Sequence, residues 1–291
     1  MYNSFKKGGA MVDVKFHCDE KENFAENCSV SAFTYTDYSI EMHNHEFYEL
    51  NIVLAGTGTH HIENGSFRVK TGDVFMIPPM VAHAYEDTEH LEVYHILLKK
   101  NFIMQNQKEA NKVNGFLQFT EIEPFLRSNF VHSCFLHLNQ SLMSQLKDEL
   151  KYIDDSGEYS WEDCACMKYH AVWKLLYWFS QSLYQQNVLQ KNAAENKYEK
   201  QIISALEYIH SNYGEKITIE VLSKEVFLSR STFLRNFKEV CGISPIEYLN
   251  QYRCKKAMEW LESRERSKTE IAHVCGFYDL SHMERMIKTM K

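Results

Sequence analysis

The chain of 291 residues has 44% hydrophobic and 24% charged side chains, a globular balance that excludes a wholly disordered protein. Glycine (11) and proline (4) are too scarce for a collagen-like chain, and the apolar runs are too short to span a membrane. The net charge of −7 divides into −9 over residues 1–197 and +2 over residues 198–291, which hints that the C-terminal part meets an anionic partner.

The N-terminal residues carry two lysines but no apolar segment behind them, so we expect no signal peptide. Without an export signal, we expect the eight irregularly spaced cysteines to be reduced. We therefore expect a cytoplasmic protein that makes no membrane contact.

Residues 12–98 carry short alternating or aliphatic runs separated by turn residues, a pattern typical of many short β-strands. Asn64-Gly65 between two of these runs is a strong hairpin signal. Strands at such close spacing indicate a sandwich or a small barrel. The predicted strands are Tyr48–Leu54, Thr59–Ile62, Ser66–Val69, Val74–Ile77 and Leu91–Leu98.

A helical hydrophobic period begins near Ser141 and predicts a helical region over residues 141–186. Its long helix, Trp161–Gln186, has a broad apolar face, which either packs against the barrel or pairs two protomers. The polar stretch 187–197 is the expected linker, and the chain beyond it is expected to be helical.

The C-terminal part contains an internal repeat, which is visible when the sequence is aligned with itself at an offset of 50 residues. Each copy has a short helix, a turn, a capping residue and a second helix of the form S-x-x-x-R-x-x-K. In this alignment the matching pairs are Ser231 with Ser281, Arg235 with Arg285, Lys238 with Lys288, and Phe227 with Phe277.

This order of elements is that of a helix-turn-helix, whose second helix enters the major groove of DNA. Arginine can bond guanine through two hydrogen bonds, serine can bond a base or a phosphate, and lysine can neutralise a phosphate. The alternative is two amphipathic helix pairs with ordinary solvated faces. Because both polar and apolar positions are repeated, the pattern favours DNA binding.

The C-terminal part resembles the DNA-binding domain of the AraC/XylS family of bacterial transcription regulators, in the stretches ITIEVLSKEVFLSRSTFLRNFKEVCGISPIEYLNQYRCKKAMEWL and IAHVCGFYDLSHMERMIK. The resemblance implies two helix-turn-helix units joined by one long helix, here Pro245–Ser263, with both recognition helices in successive major grooves. The second copy departs from the family pattern at Met283 and Ile287. The chain also ends at Lys291, where a counterpart of residues 242–248 would begin, so we expect either a second unit without its usual tail or a sequence that is cut short.

The resemblance also implies the DNA contacts by matching position. Leu234 could offer an apolar contact to a thymine methyl group. Base contacts are expected from Ser231, Leu234 and Arg235 in the first unit and from Leu280, Ser281, Glu284 and Arg285 in the second. Phosphate contacts are expected from Lys238 and Lys288, and Arg230 and Thr232 at the helix start complete the predicted DNA-binding set.

The N-terminal part contains two motifs, HNHEFYELNIVLAGTG and GDVFMIPPMVAH, that resemble the cupin-type sensor domain that precedes such DNA-binding domains. His43, His45, Phe47 and Glu49 share parity and would project to one face of a strand, and His83 follows the second motif. Together the three imidazoles and the carboxylate form a divalent-metal set: His43, His45, Glu49 and His83. The alternative is that these groups and Phe47 line a pocket that binds a polar effector by hydrogen bonds without a metal.

Two details bear on this site. Met80 stands where the second motif usually has a glycine. His60 and His61 are neighbours on a predicted strand, so they should point to opposite faces and cannot both line the pocket.

We therefore predict a multi-domain α and β fold. Residues 1–140 are expected to form a cupin-like antiparallel β-barrel that senses an effector and carries a helical hairpin. Residues 141–186 are expected to form the helical region that could dimerise, and 187–197 the linker. Residues 198–291 are expected to form an all-α, AraC-type DNA-binding domain with two helix-turn-helix units.

The predicted function is a sequence-specific DNA-binding transcription regulator, not an enzyme, controlled by a small-molecule effector in the barrel. No cofactor is required for it, although the barrel offers the divalent-metal set. The expected partners are double-stranded DNA, the effector, a second copy of the chain and, for an activator, RNA polymerase. Two alternatives stay open: a metal-dependent cupin enzyme fused to a DNA-binding domain, and a barrel with a helical bundle that mediates protein contacts only.

Overall fold

The structure divides the chain into two units, Met1–Lys191 and Asn192–Lys291. It is a computed structural model that describes residues 5–7, 10–12, 15–19, 23–24, 28–62, 65–129, 135–153, 161–189, 198–263 and 266–290. Asn64 of the predicted hairpin and most of the predicted linker lie outside these residues. At its start the predicted linker is still helical, because the long helix continues to Leu189 rather than ending at Gln186.

The first unit is built mainly from β-strands. A separate pair is formed by β1 (Phe5–Lys7) and β2 (Ala10–Val12). The main sheet has eight strands in the described part of the chain. They are β3 (Phe16–Cys18), β4 (Val30–Thr36), β5 (Ile40–His45), β6 (Tyr48–Ile62), β7 (Gly65–Lys70), β8 (Asp73–Ile77), β9 (His83–Leu98) and β10 (Leu136–His137).

The two long strands, β6 and β9, pair with each other along most of their lengths and organise the sheet. The first part of β6 pairs with β8 and its last part with β7, whereas β9 pairs first with β5 and then with β4. Register shifts between Val53 and Thr59 mark bulges, which bend a strand and increase its twist. The resulting folded sheet is called the barrel below.

The predicted cupin-like β domain is confirmed, with two differences. β3 runs parallel to β5, with Phe16 opposite His43, although the prediction was an antiparallel barrel. Among the described residues the strand order ends at β10 and β3, so the sheet is not closed. In addition, the predicted strands 48–54 and 59–62 form one strand, because bulges rather than a turn separate them.

Both faces of the barrel are buried. On the inner face, aromatic and aliphatic side chains such as Tyr38, Val53 and Phe75 pack together. On the outer face, Leu50 and Ile52 pack against helices that follow the sheet in sequence. Neighbouring residues of β6 therefore enter different cores, as the two-residue period of a strand requires.

Most helices of the first unit pack against this outer face. They are α1 (Lys100–Ala110), a π-helical turn (Gln118–Ile122) that continues into α2 (Glu123–Asn129), α3 (Gln140–Leu150) and α4 (Trp161–Leu189). On α4, Val172, Leu176 and Phe179 are fully buried in the same core as the sheet. Core packing therefore accounts for much of the apolar face of α4, and pairing of two protomers stays a prediction. No helix in the described ranges is both long and apolar enough to cross a membrane.

The second unit is all-helical. It consists of α5 (Glu199–Asn212), α6 (Ile219–Glu225), α7 (Arg230–Cys241), α8 (Pro245–Ser263), α9 (Lys268–Val274) and α10 (Leu280–Met290). The first helix-turn-helix is α6 and α7, the second is α9 and α10, and α8 joins them with the bounds that the resemblance implied. Ser229 caps α7 by accepting a hydrogen bond from the backbone N–H of Thr232, and Asp279 caps α10 in the same way from His282.

Each helix-turn-helix has one residue in the left-handed region of its turn: Phe227 (φ 55°) in the first and Gly276 (φ 75°) in the second. The next residue, Leu228 or Phe277, donates its backbone N–H to a carbonyl of the preceding helix. These equivalent positions are 49 residues apart. The predicted match of Phe227 with Phe277 is therefore wrong, because Phe227 corresponds to Gly276.

The recognition helices α7 and α10 nevertheless match at the predicted offset of 50, from the caps Ser229 and Asp279 onward. The difference of one residue is Tyr278, which the second turn inserts before its cap. Phe227 and Tyr278 are 95% and 92% exposed, so the turns present two aromatic rings to solvent.

We expect Gly276→Ala to lower the free energy of unfolding by about 1–3 kcal/mol, the cost of holding a non-glycine residue in a strained backbone conformation. A Cβ at this position would lie 2.7 Å from Nη2 of Arg253 and 2.8 Å from the carbonyl oxygen of Tyr213. Calorimetric thermal unfolding of the full chain measures the loss. The matched control is Phe227→Gly, which removes an exposed side chain from the equivalent left-handed position and should cause no such loss. Equal destabilisation by the two changes would contradict the assignment.

Candidate functional site

A buried carboxylate, that of Glu49, lies among imidazoles inside the barrel. Its Oε2 atom is 3.0 Å from Nε2 of His45 and 3.7 Å from Nε2 of His83. The possible ligand atoms of His43, Glu49 and His83 all lie within 4.8 Å of one another. The four residues come from three strands, β5, β6 and β9, so the sheet pairing brings them together.

Hydrogen bonds fix the protonation of the three imidazoles. The Nδ1 atoms of His43, His45 and His83 lie 3.0, 2.7 and 3.1 Å from backbone carbonyl oxygens. A carbonyl oxygen can only accept, so each Nδ1 carries a proton and donates it. In a neutral ring the Nε2 atom then bears a lone pair. The three accepting carbonyls are those of Glu41, Phe47 and Val81.

The facing atoms of His45 and Glu49 are therefore both acceptors when the ring is neutral. The buried Nε2 of His45 can hydrogen-bond Oε2 only if the ring carries a second proton, and the buried Nε2 of His83 has no hydrogen-bond partner among the described residues. Buried polar atoms without partners are costly, and two lone pairs at 3.0 Å repel each other. Either a second proton on an imidazole or a cation between the groups relieves this conflict.

The other carboxylate oxygen of Glu49, Oε1, is already satisfied. Nδ1 of His95 lies 2.8 Å from it, and the amide of Asn51 donates to it at 3.0 Å. The Tyr85 hydroxyl in turn donates to Oδ1 of Asn51 at 3.2 Å. These three residues orient the carboxylate so that Oε2 faces the imidazoles. Metal-binding carboxylates are held in the same way by outer hydrogen bonds.

Burial and charge set the ionisation of these groups. Burial acts to raise the pKa of the Glu49 carboxyl, but hydrogen bonds and charge interactions with His45 and His95 outweigh it and hold that pKa well below its ordinary value. Burial, followed by the nearby His43, lowers the pKa of His83 well below its ordinary value, and burial also lowers the pKa of His43. At neutral pH the site therefore combines an ionised carboxylate with neutral rings at His43 and His83, the form in which imidazole binds metals.

Aromatic rings stack on two of the imidazoles. Phe16 from β3 lies parallel to His43, with ring centroids 4.9 Å apart, and Phe47 lies parallel to His45 at 4.5 Å. Phe47 also belongs to a separate cluster with Phe24. The structure thus places Phe47 behind His45, where it supports that ring.

The predicted site residues His43, His45, Glu49 and His83 converge, but not for the predicted reason. His43, His45 and Glu49 were expected to share one strand and one parity with Phe47, whereas β5 ends at His45 and β6 begins at Tyr48. The shared-strand argument is therefore wrong, and cross-strand pairing causes the convergence. Met80, in place of the usual glycine, adopts a left-handed conformation with φ 66°, and its backbone N–H donates to the carbonyl of His45.

Sequence reasoning missed several inner residues. Of the adjacent pair on β6, His60 points inward, with its ring 4.7 Å from that of Tyr85, whereas His61 points outward, with Nε2 3.4 Å from Glu86. The prediction that they face opposite sides is confirmed. The alternation on β9 could have grouped His95 with the inner Val93, but nothing in the sequence gives its register against Glu49. The missed residues are Asn51, His60, Tyr85 and His95.

The predicted DNA-binding residues lie on the two recognition helices. Positions spaced by three, four and seven residues share one side of a helix. Exposed positions on α7 are Arg230, Ser231, Arg235 and Lys238, with Thr232 and Leu234 half-buried. Exposed positions on α10 are Ser281, Glu284, Arg285 and Lys288, with Leu280 half-buried.

Each recognition helix makes an ion pair with the helix before it. Arg230 of α7 pairs with Glu220 of α6, and Glu284 of α10 lies 3.7 Å from Nζ of Lys268 on α9. All four side chains are well exposed, so the pairs contribute little to stability and both partners stay accessible to a ligand.

We expect His95→Leu to lower the free energy of unfolding by about 1.5–3 kcal/mol, because a hydrogen bond to a buried charged group is lost. The matched control is His61→Leu, since His61 also meets a glutamate but on the outside, where the effect should stay within about 0.5 kcal/mol. Urea unfolding of chelator-treated protein compares the two. Equal losses would contradict a supporting role for His95.

Comparison with known proteins agrees with both halves of the structure. Residues 29–151 match the family model of the AraC-like ligand binding domain, and residues 222–291 match that of a helix-turn-helix domain. The transcriptional activator RhaS of Citrobacter koseri is 24% identical over 84% of this chain and 82% of its own length. RhaS of Salmonella arizonae is 25% identical over the same shares. The structure of ToxT from Vibrio cholerae is 13% identical over 90% of this chain and 94% of its own, with a TM-score of 0.36. With a ligand-binding domain followed by a helix-turn-helix domain, the chain belongs to the AraC/XylS family of DNA-binding transcription regulators.

Proposed function

We propose that this regulator is an activator that reads double-stranded DNA with both recognition helices and acts in the cytoplasm. The repeated, solvent-exposed S-x-x-x-R-x-x-K side of α7 and α10 is the observation that carries this proposal. Both copies present a serine, an arginine and a lysine at the same helical positions, free of the hydrophobic core. A solvated face without function has no reason to keep this order twice.

The proposed contacts follow from the chemistry of each side chain. Arg235 and Arg285 would each bond a guanine in the major groove through two hydrogen bonds. Ser231 and Ser281 lie one turn before them and would bond a base edge or a phosphate. The lysines one turn further along would neutralise phosphates, which adds affinity without sequence preference.

Activation and assembly belong to the same proposal. The RhaS relatives are named transcriptional activators, which supports a contact of this chain with RNA polymerase. A homodimer would form through the side chains of α4 that are exposed in the single chain, including Met167 and Tyr184. As in those regulators, the proposed protein carries out no catalysis.

We expect Arg235→Ala and Arg285→Ala each to weaken binding to the preferred DNA by about 1–3 kcal/mol and to relax the preference at one base. The comparison variant is Lys238→Ala, which should weaken binding to all sequences alike and reduce the salt dependence by about one unit of slope. Fluorescence titration at several salt concentrations, with selected and scrambled duplexes, measures both effects. Unchanged affinity in both arginine variants would refute DNA reading by these helices and favour a domain that makes protein contacts only.

The barrel is proposed to bind the effector at the Glu49 site together with a divalent transition-metal ion. The residues present fit such an ion: His43, Glu49 and His83 offer one nitrogen or oxygen ligand atom each, and His45 completes the set. The buried Nε2 atoms that face Oε2 and the outer hydrogen bonds to Oε1 support this proposal. A bound ion would supply a positive charge that attracts oxygen or nitrogen atoms of an effector.

We expect the purified chain to bind Co²⁺ tightly and His83→Ala to weaken that binding at least about tenfold, since a ligand atom is lost. His61→Ala is the control, because His61 lies on the outside of the same unit. Visible absorption of Co²⁺, titrated into chelator-treated protein, reports the site directly. Equal binding by the wild type and His83→Ala would leave hydrogen bonding to a polar effector as the function of the cluster.

The rival function, a metal-dependent cupin enzyme fused to a DNA-binding domain, depends on the same residues. It predicts that a substrate is consumed with turnover and that His83→Ala abolishes this turnover while the DNA response survives. A regulator instead loses its response to the effector in His83→Ala and consumes nothing. Measuring effector consumption and the effector-dependent change in DNA affinity in the same samples separates the two.

A further inference from the structure

Four positions along one side of each recognition helix, spaced by three, four and seven residues, would face DNA. The helix-start residues Arg230 and Leu280, which also differ, lie outside this set. Three of the four hold the same residue in both helices, namely serine, arginine and lysine. The remaining position holds Leu234 in α7 and Glu284 in α10.

Leu234 and Glu284 occupy equivalent places, because α7 and α10 match at an offset of 50 from their caps onward. Each side chain directly precedes the arginine of its helix, Arg235 or Arg285. Leu234 is half-buried, and the Glu284 side chain is 48% exposed. Neither side chain is fully buried, so both are available to contact a base in the major groove.

A carboxylate on a DNA-facing helix is unfavourable towards phosphates and needs a donor on a base edge. In the major groove the exocyclic amine of cytosine is the donor that glutamate accepts from, whereas an apolar side chain such as leucine contacts the thymine methyl group. Lys268 lies 3.7 Å from Oε1 of Glu284 and offsets part of the repulsion between the carboxylate and the DNA backbone.

We propose that the difference between Leu234 and Glu284 makes the operator an imperfect repeat. Its two blocks share the guanine read by Arg235 and Arg285, and they differ at the neighbouring base pair, which is read as thymine by Leu234 and as cytosine by Glu284. Paired recognition helices place the blocks about one helical turn, ~34 Å, apart. This inference rests on the proposed function, in which both helices enter the major groove.

The experiment is a selection from a random duplex library with the full-length chain, followed by titration of the selected sites. Wild type should select two guanine-containing blocks that differ at one adjacent position. Glu284→Leu should change the preference in the second block from cytosine to thymine, and Leu234→Glu should change the first block from thymine to cytosine. Each exchanged base pair should alter affinity roughly 5- to 150-fold, as single mismatches in specific sites do.

A control is needed because Glu284→Leu also removes a negative charge. Glu225→Leu removes a charge from the exposed end of α6, which is not one of the four positions on α7. It should leave both preferences unchanged and alter affinity for all sequences alike. Glu284→Leu and Leu234→Glu test different helices. If the Leu234→Glu protein misfolds, the base preference of Glu284→Leu still decides the question.

The outcomes separate this inference from the proposed function. Selection of a two-block motif whose second block is unchanged in Glu284→Leu overturns the inference but keeps DNA reading by both helices. A single selected block, unaffected by Arg285→Ala, overturns both the inference and the use of the second unit. A change of preference confined to the base beside the shared guanine supports the inference.

Discussion

The ionised carboxylate of Glu49 is buried in the barrel, and a buried charge is costly unless the groups around it compensate. One of its oxygens has that compensation from His95 and Asn51, whereas the other faces neutral or protonatable nitrogen atoms. The strand pairing of β5, β6 and β9 has to be in register for these groups to meet at all. A one-residue slip of β9 would turn His83 and His95 towards the helices and leave the carboxylate without partners.

This dependence explains which parts of the barrel could be predicted from the sequence. Strand positions such as Val74–Ile77 are local signals, and the structure has β8 at Asp73–Ile77. Convergence at Glu49 is a non-local property, set by cross-strand register and by bulges in β6. Counting parity therefore grouped His43, His45 and Glu49, which do lie close together, by a wrong route, and it missed His95, which lies 46 residues away in sequence and bonds the same carboxylate.

In the second unit the family resemblance and the repeat predicted the helices closely, since caps and apolar spacing are local. The turn was misaligned because an aromatic was matched to an aromatic, Phe227 to Phe277. Backbone conformation is the better guide there: a left-handed residue must follow the first helix, and glycine fills that place at little cost while Phe227 occupies it with strain. The roles of Arg235 and Arg285 depend on the DNA that they contact. The amino-acid sequence and the fold place these side chains on the recognition helices but do not specify the bases.

Regulation requires that the effector bind one state of the protein better than another, and this places a condition on the Glu49 site. An anionic effector meets a repulsive carboxylate unless a cation lies between them, whereas a neutral polar effector can donate directly to Oε2 or to an unpartnered Nε2. A cation or a hydrogen-bond donor bound there removes the repulsion between Oε2 of Glu49 and the lone pairs of the imidazole Nε2 atoms. The removal of this repulsion contributes to the binding energy of the occupant. By linkage, if the effector changes the affinity of the protein for DNA by a given factor, DNA changes the affinity of the protein for the effector by the same factor.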